Sequence, residues 1–251
     1  DLVVSGIHPR YLSLSLILEE GFAVSDLEKI LSSVKVAAAE AGVVVATGDT
    51  KVVRRGEADG LYINTAGVGE VVGEPGRIAE GDVVIVTGSV GDHSVAVMIA
   101  RREFDFEGAV ESDCRPLHDL LPLWQIGVKW MRDITRGGLA TILCECAEGE
   151  HVPVFIEETR VPLSPPVRAV SEILGLDPLY LASEGKAAVI APRDRADGVL
   201  DFLRSLPVGG SAATIGRIGG HERRGEVVLK SISGGLRLLE PLTGELLPRI
   251  C

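Results

Sequence analysis

The feature that most constrains the fold is an alternation of short apolar strands with helix-length segments in the second half of the chain. Strand-length apolar runs and helical spacing of apolar residues distinguish the two kinds of element. Such an alternation predicts layered α/β architecture. The predicted strands are Val152–Ile156, Ala187–Ile190, Ala213–Ile218, Glu226–Leu229 and Leu236–Leu239, and the predicted helices cover about 91–102, 116–126, 137–148, 166–175 and 193–205.

The first part of the chain predicts two helices followed by strands. Pro9 stands where it can open a helix that Gly21 ends. Ser25 and Glu28 have the spacing of a capping box for a second helix, which Gly42 ends. Beyond Gly42 we predict strands over Val43–Ala46, Lys51–Val53, Leu61–Val68 and Asp82–Thr87, with Gly48-Asp49-Thr50 as a turn between the first two.

A cluster of turn residues, Gly73-Glu74-Pro75-Gly76, predicts the domain boundary. We therefore expect one domain over 1–74, a second α/β domain over 75–240, and an extended tail over 241–251. Pro241, Gly244 and Pro248 disfavour a helix or a central strand in that tail.

Charge argues against two classes of partner. Of 251 residues 46% are hydrophobic, and the net charge is −11. No basic cluster is longer than Arg54-Arg55 or Arg223-Arg224, so neither nucleic acid nor an anionic membrane surface is an expected partner. The apolar runs are too short to span a membrane, and no secretory signal is recognised.

The four cysteines do not form a zinc or redox motif. Cys144 and Cys146 are two residues apart in a predicted helix and so point to different faces. We interpret them and Cys114 as structural residues of a protein in the reducing cytoplasm. Cys251 follows Pro248-Arg249-Ile250 on an end that can swing into a pocket, and its thiolate form would be nucleophilic. The alternative is that this thiol has no role.

The stretch Thr47-Gly48-Asp49-Thr50-Lys51 combines a carboxylate, hydroxyls and an ammonium. Asp49 suits Mg²⁺, which binds few carboxylates together with phosphate oxygens, and Lys51 suits phosphate as a point charge. A solvated hairpin turn is the alternative. The spacing of a Walker A loop is absent.

A second stretch, Met131 to Ala140, places Arg132, Asp133, Arg136 and a glycine pair directly before a predicted helix. Backbone N–H groups at a helix N-terminus bind anions, and the two arginines could bind phosphate or carboxylate. The alternative is a capped helix with Asp133 or Thr135 as the cap.

Two further loops are candidates. Glu184, in Leu181 to Lys186, stands in a loop where a base could reach a substrate, although a turn glutamate is the simpler interpretation. Gly88 to Ser94 follows a strand and precedes a helix, as phosphate loops do, but such connections are common. His93 there is more often a capping or packing residue than a ligand.

Together and in this order, these stretches resemble the HypE family of nickel–iron hydrogenase maturation factors, within the AIR synthetase-like (PurM-like) ATP-binding superfamily. The resemblance covers the whole chain, and the ending Pro248-Arg249-Ile250-Cys251 is what singles out HypE. The other matching stretches are Asp1-Leu2 through Pro9, Leu16 to Phe22, Gly48 to Val53, Ile63 to Gly69, Gly91-Asp92-His93, Met131 to Ala140, and Leu176 to Lys186.

The chain departs from the family pattern at two places. The family's glycine-rich N-terminal segment is missing, and Asp1 falls where the family has an internal aspartate on the ATP/Mg side. We therefore expect a truncated chain with an incomplete N-terminal domain. Ile134 stands where proline is common, which we expect to be tolerated.

The resemblance implies an ATP-dependent carbamoyl dehydratase. A HypF-type carbamoyltransferase loads a carbamoyl group onto the Cys251 thiol, the thiocarboxamide is dehydrated to a thiocyanate, and the cyanide passes to iron held by a HypC–HypD complex. Because the tail must visit three places, mobility suits it. The family also implies a homodimer formed through the N-terminal domain.

The resemblance further implies the roles of single residues. Asp1 and Asp49 would bind Mg–ATP, Lys51 would neutralise phosphate, and Glu184 would deprotonate the amide nitrogen. Arg132 and Arg136 would steer the tail or hold the departing phosphate. The remaining nucleotide contacts would come from Thr50, Asn64 and Thr65.

Two alternatives remain open at this point. One is a small-molecule ATP enzyme of the AIR synthetase or selenophosphate synthetase type. The other is a non-catalytic scaffold that docks maturation partners.

Overall fold

The structure is a computed structural model that describes residues 1–101 and 110–244. Within these ranges it has ten strands and six α-helices, which confirms the predicted α/β class. The strands are β1 Ile7–Glu19, β2 Val44–Val53, β3 Leu61–Val71, β4 Val83–Val86, β5 Trp130–Asp133, β6 Val154–Glu157, β7 Ala187–Ala191, β8 Ala213–Ile218, β9 Val227–Lys230 and β10 Leu236–Leu239. The helices are α1 Val24–Glu40, α2 Asp92–Ala100, α3 Leu123–Ile126, α4 Gly138–Glu150, α5 Pro165–Leu174 and α6 Ala196–Ser205.

The first sheet has three strands in the order β2-β1-β3. The central strand β1 runs parallel to β2 and antiparallel to β3. Leu16 and Leu18 are buried on one face of β1, whereas Tyr11 and Ile17 on the other face are exposed. One face of this sheet is therefore open.

The predicted helix after Pro9 is wrong, because this segment is strand β1. Leucines at 12, 14, 16 and 18 alternate with other residues at the period of a strand, and this pattern outweighs the helix-start signal of the proline. Pro9 is accommodated at an irregularity in the pairing of β1 with β3, between Pro9 and Tyr11. Such irregularities are where a strand tolerates proline.

The predicted turn at Gly48-Asp49-Thr50 is also wrong, because β2 runs without a break through it. Gly48 is needed for close approach of two strands. A Cβ there would lie 2.2 Å from the carbonyl oxygen of Leu14.

Helix α1 confirms the second predicted helix but not its cap. It begins at Val24 after Ala23, and no side chain caps it, so the capping box of Ser25 and Glu28 does not form. Ser25, which the box would make the N-cap, is instead the second residue of the helix.

The second sheet has seven strands in the order β10-β9-β6-β8-β4-β7-β5. Strands β4 and β5 both run antiparallel to β7, which lies between them. Their carboxyl ends therefore meet at the amino end of β7. Strand β5 was not predicted, because four residues with Arg132 and Asp133 at one end give no clear period.

Side chains cover both faces of the centre of this sheet. Val84 and Val86 of β4 belong to the same buried cluster as Leu139 and Leu143 of α4. Ile85 of β4 belongs to a second cluster, which includes Val199 and Leu203 of α6. The predicted helix at 116–126 is instead a 3₁₀ turn, His118–Leu120, followed by the four-residue α3, because Pro122 cannot donate the hydrogen bond that would continue it.

The first residues of the chain dock against the second sheet. Val3 and Val4 are buried in the second cluster, together with Ile85 of β4 and the side chains of α6. The Trp124 Nε1–H donates to the Val3 carbonyl at 2.9 Å. Gly73 packs against the same tryptophan, where a Cβ would lie 2.5 Å from the Trp124 Cβ. No helix in the described ranges is long and apolar enough to cross a membrane.

Candidate functional site

Three of the loops singled out in the sequence meet at the amino end of β7. The Ser183 N–H donates to the Ile134 carbonyl at 2.8 Å, and the Ile134 N–H donates to the Lys186 carbonyl at 2.9 Å. The Ser183 hydroxyl accepts from the Gly91 N–H at 2.7 Å. Antiparallel pairing of β4 and β5 with β7 thus joins the Gly88–Ser94, Met131–Ala140 and Leu181–Lys186 stretches.

Glu184 lies half-buried in this junction. The extended segment at 113–114 runs alongside it, so closely that a Cβ on Gly185 would lie 1.7 Å from the Asp113 carbonyl oxygen. The pKa of the Cys114 thiol is raised by burial and then by the negative charges of Glu184 and Asp113. A half-buried carboxylate in a loop can accept a proton from a bound group.

Lys186 and Asp113 form a buried ion pair that the sequence analysis missed. The Lys186 Nζ lies 3.6 Å from an Asp113 carboxylate oxygen, and both side chains are more than nine-tenths buried. Burial raises the pKa of Asp113, and the Lys186 ammonium offsets part of this rise. The stem of Lys186 passes over Gly88, where a Cβ would lie 2.7 Å from its Cε. The one sequence feature that could have indicated this pair is a lysine directly before the apolar strand Ala187–Ala191.

The Gly88–Ser94 loop is not free to cradle phosphate with its first N–H groups. Those of Ser89, Val90 and Gly91 all donate to oxygens of the protein. Asp92 accepts from the hydroxyls of Ser89 and Ser164 at 2.5 and 2.6 Å. These bonds favour the structural interpretation of this loop. His93 likewise contacts the Ser112 hydroxyl, 2.7 Å from its Nδ1.

The Arg132 and Arg136 side chains are exposed. The nearest carboxylate to Arg132 is Glu145, at 3.8 Å. Helix α4 begins after Gly137, which has a φ of 78°, and no side chain caps it. The alternative interpretation, a cap by Asp133 or Thr135, is therefore wrong, since left-handed glycines make the entry to this helix.

The predicted nucleotide residues Asp49, Lys51 and Asn64 share the open face of the first sheet. Asp49 and Asn64 stand on either side of Ser15 in β1, and Lys51 follows Asp49 two residues along β2. All three are exposed. Lys51 makes no ion pair within residues 1–101 and 110–244.

The structure does not bring Thr50 and Thr65 onto that face. They pair with Leu16 and Leu14 of β1, one position out of step with Asp49 and Asn64, and side chains alternate along a strand. Asp1 is exposed and precedes the buried Val3 and Val4. No group of three His, Cys, Asp or Glu side chains in the described part of the chain is arranged to hold a metal ion.

The root of the tail lies beside α4. The Tyr180 hydroxyl donates to the Glu240 carbonyl at 2.9 Å, and the Leu242 N–H donates to the Thr141 hydroxyl at 3.1 Å. Cys251 lies outside the described residues. The three described cysteines are free thiols.

Two family descriptions match the chain. Residues 1–71 match the N-terminal domain of AIR synthase related proteins, and residues 79–229 match their C-terminal domain. At the level of the fold alone, a thiamine monophosphate kinase of Aquifex aeolicus is similar, with a TM-score of 0.72 and 21% identity over 91% of this chain and 76% of that one.

Curated relatives named carbamoyl dehydratase HypE match over the full chain. The protein of Azotobacter vinelandii is 43% identical over 260 residues, covering 100% of this chain and 75% of the relative. That of Escherichia coli K12 is 40% identical over 257 residues, covering 100% and 76%. The chain thus spans about three quarters of the length of these relatives.

Solved structures agree with the sequence relatives. A crystal structure of the hydrogenase maturation protein HypE in complex with ATP is 42% identical and has a TM-score of 0.93, covering 99% of this chain and 77% of that one. A HypE–HypF complex is 37% identical with a TM-score of 0.88, covering 95% and 80%. The chain therefore belongs to the HypE carbamoyl dehydratases, the hydrogenase maturation branch of the AIR synthase related proteins.

Proposed function

We propose that this chain dehydrates the S-carbamoylated thiol of Cys251 to a thiocyanate, with Glu184 as the base and ATP as the second substrate. The observation that carries the proposal is the junction at β7. It holds Glu184 half-buried among three loops, and residues 240–242, the root of the tail that bears Cys251, lie beside the neighbouring helix α4.

Dehydration of a primary thiocarboxamide requires two changes. Its oxygen must become a leaving group, and its nitrogen must give up both protons as the C≡N bond forms. ATP, when bound, supplies the phosphoryl group that leaves with the oxygen as phosphate. Glu184 accepts one proton from the nitrogen, and its carboxylate also orients the N–H groups; the second proton leaves on the departing phosphate. Arg132 and Arg136, exposed on the loop that is hydrogen-bonded to the Glu184 segment, would attract the departing phosphate or the tail.

The open face of the first sheet is the proposed nucleotide side. Lys51 neutralises phosphate, and Asn64 supplies a polar contact beside Asp49 on the same face. Asp49, with Asp1, fits Mg²⁺ bound mainly through phosphate oxygens, because that ion takes few protein carboxylates. We assign no side-chain contact with this nucleotide to Thr50 or Thr65, which point to the other face. The HypE–ATP complex at 42% identity supports ATP as the ligand.

We further propose a homodimer formed through that open face. It exposes Tyr11, Ile17, Tyr62 and Val68 around its polar centre, and clustered exposed apolar side chains mark interaction surfaces. In the same proposal residues 1–74 are the rest of the ATP-binding domain, 75–240 the second domain and 241–251 the tail.

The proposed partners are a HypF-type carbamoyltransferase and a HypC–HypD complex as cyanide acceptor. The HypE–HypF complex at 37% identity supports the first of them. We place the cycle in the cytoplasm, where free thiols persist.

Intact mass spectrometry tests the proposed reaction. The full-length protein is carbamoylated by the carbamoyltransferase and purified, and Mg–ATP is then added. We expect the carbamoyl mass to be followed by the loss of one water. Glu184→Gln should keep the carbamoyl mass, with dehydration slower by about 100-fold or more. Cys251→Ala should never be modified. A parent protein whose carbamoyl mass persists with ATP would contradict the proposal.

A further inference from the structure

Two side chains hold the backbone at the root of the tail. The Tyr180 hydroxyl donates to the Glu240 carbonyl, and the Thr141 hydroxyl accepts from the Leu242 N–H. Both bonds go to main-chain atoms, so they fix the path of the chain whatever side chains the tail carries. Just before them the buried Leu239 ends β10.

A third contact fastens the residue where the tail begins. The Cys144 Sγ donates to the Leu239 carbonyl at 3.4 Å. This requires the protonated thiol, and burial followed by three nearby glutamates raises the pKa of Cys144 to about 11. The Leu239 end is therefore fixed by the sheet and by α4, and the bonds from Tyr180 and Thr141 extend the fixed path by three residues.

The fixed path ends close to the catalytic junction. Thr141 lies in the first turn of α4, and its side chain fills the space beside Gly137, where a Cβ would lie 2.4 Å from its hydroxyl oxygen. Gly137 belongs to the loop whose Ile134 exchanges hydrogen bonds with the Ser183–Lys186 segment around Glu184. The point that releases the tail and the proposed base are thus joined through one loop.

We propose that Thr141 and Tyr180 are positioning residues, which set the point from which the Cys251 tail reaches the Glu184 site. The inference rests on the proposed function and adds the anchor that makes the reaction efficient within one molecule. Nine residues follow Leu242 up to Cys251. At full extension they span roughly 30 Å, enough to search the junction but not the whole molecule.

Loss of the anchor lengthens the free segment of the tail and removes the fixed direction in which that segment begins. Releasing Glu240 to Leu242 would raise the free residues from nine to twelve. The effective concentration of the tail end at the Glu184 site falls roughly as the −3/2 power of the length of the free segment. The change from nine to twelve residues therefore lowers it about 1.5-fold. Loss of the fixed exit direction adds to this, so we expect a fall of about two- to fivefold.

The test compares the attached tail with a detached one. The full-length protein is carbamoylated and purified, and its dehydration with Mg–ATP is followed by intact mass spectrometry. In parallel, Cys251→Ala protein receives a synthetic S-carbamoyl peptide with the sequence of residues 245–251. Each reaction is run with Thr141→Val, Tyr180→Phe and the double variant. The ratio of attached to detached rates is expected to fall about two- to fivefold, because the anchor acts only on the attached tail.

A matched control lies one residue beyond the anchor. Thr243→Val makes the same chemical change on the exposed Thr243 and should leave the ratio at the parent value. Hydrogen exchange of the 240–244 segment gives an independent readout, since the Leu242 amide should exchange faster in Thr141→Val and unchanged in Thr243→Val.

Three outcomes would overturn the inference. They are an unchanged ratio in both anchor variants, an equal fall of the attached and detached rates, and an unchanged exchange rate of the Leu242 amide. A parent protein that keeps its carbamoyl group would instead overturn the proposed function itself. If the parent protein loses water but the anchor variants behave like the parent, the inference fails and the proposed function stands.

Discussion

At the scale of single residues, the junction at the amino end of β7 depends on charges that the fold removes from water. Lys186 and Asp113 are both more than nine-tenths buried and only 3.6 Å apart. Burying a charge without a partner is costly, so each of these groups makes the other tolerable. The pair also joins the 113–114 segment to the loop that carries Glu184.

Removal of one member of this pair should destabilise the protein strongly. We expect Lys186→Met to lower the free energy of unfolding by about 3–5 kcal/mol, because it leaves the Asp113 charge buried without its partner. Urea unfolding measures this. The double variant Asp113→Asn/Lys186→Met should recover part of the loss. If the double variant is less stable than Lys186→Met, Lys186 does not stabilise the protein through its ion pair with Asp113.

The buried cysteines should be poor nucleophiles. Burial first, and then nearby glutamates, raise the pKa of Cys144 to about 11 and of Cys146 to about 12. At pH 8 the thiolate fraction of Cys144 is then about 100-fold below that of a thiol with a pKa of 9. Iodoacetamide should label both residues at least that much more slowly in the native protein than in urea, as peptide mass spectrometry can measure. Equal rates in the two states would contradict the assigned burial.

At the scale of elements, glycines decide how α4 enters the junction. Gly138 has a φ of 64°, and a Cβ there would lie 2.5 Å from the Leu179 carbonyl oxygen. Gly149, near the other end of the same helix, has open space around it. Glycine is therefore required by backbone conformation and close contact at the start of α4, whereas nothing around Gly149 requires it near the end.

The two glycines should respond in opposite directions to the same substitution. Gly138→Ala should destabilise the protein by about 2 kcal/mol or more, because it adds a backbone clash to left-handed strain. Gly149→Ala should stabilise it by about 0.5–1 kcal/mol, because alanine loses less entropy in a helix. Thermal and urea unfolding check both changes. Equal effects would show that the entry to α4 is not constrained.

At the scale of the whole molecule, the two sheets differ in how much they bury. The centre of the seven-stranded sheet is covered on both faces. The three-stranded sheet leaves one face open, and this face combines the predicted nucleotide residues with exposed apolar side chains. A second copy of the chain that covers this face would bury both.

The proposed homodimer should dissociate when charge is placed on that face. Val68→Glu puts a carboxylate opposite Tyr11, among the apolar side chains of this face, and should shift the protein to monomer in sedimentation velocity. The control is Val36→Glu on α1, since Val36 is 67% exposed on a different element and should leave the association unchanged. A parent protein that is monomeric, or a Val68→Glu protein that stays dimeric, would contradict this interface.

The second half of the fold was more predictable than the first. Its strands at β6 to β10 and its longer helices follow clear apolar periods, so the predictions confirmed there needed only local sequence. The segment after Pro9 failed because proline suits both a helix start and a strand irregularity, and only pairing with β2 and β3 decides between them. Strand β5 is too short for its own period to predict it.

By itself the sequence determined the family, the candidate residues Glu184, Asp49 and Lys51, and the thiol of Cys251, because these depend on residue types in a fixed order. The tertiary structure decided which of them meet. Antiparallel pairing of β4 and β5 with β7 joined three loops distant in sequence, and strand register put Asp49 and Asn64 on one face and Thr50 and Thr65 on the other. It also created the Lys186–Asp113 pair and the anchor at Thr141 and Tyr180. Burial and close contact across the sheet produce these features, and no local pattern encodes them.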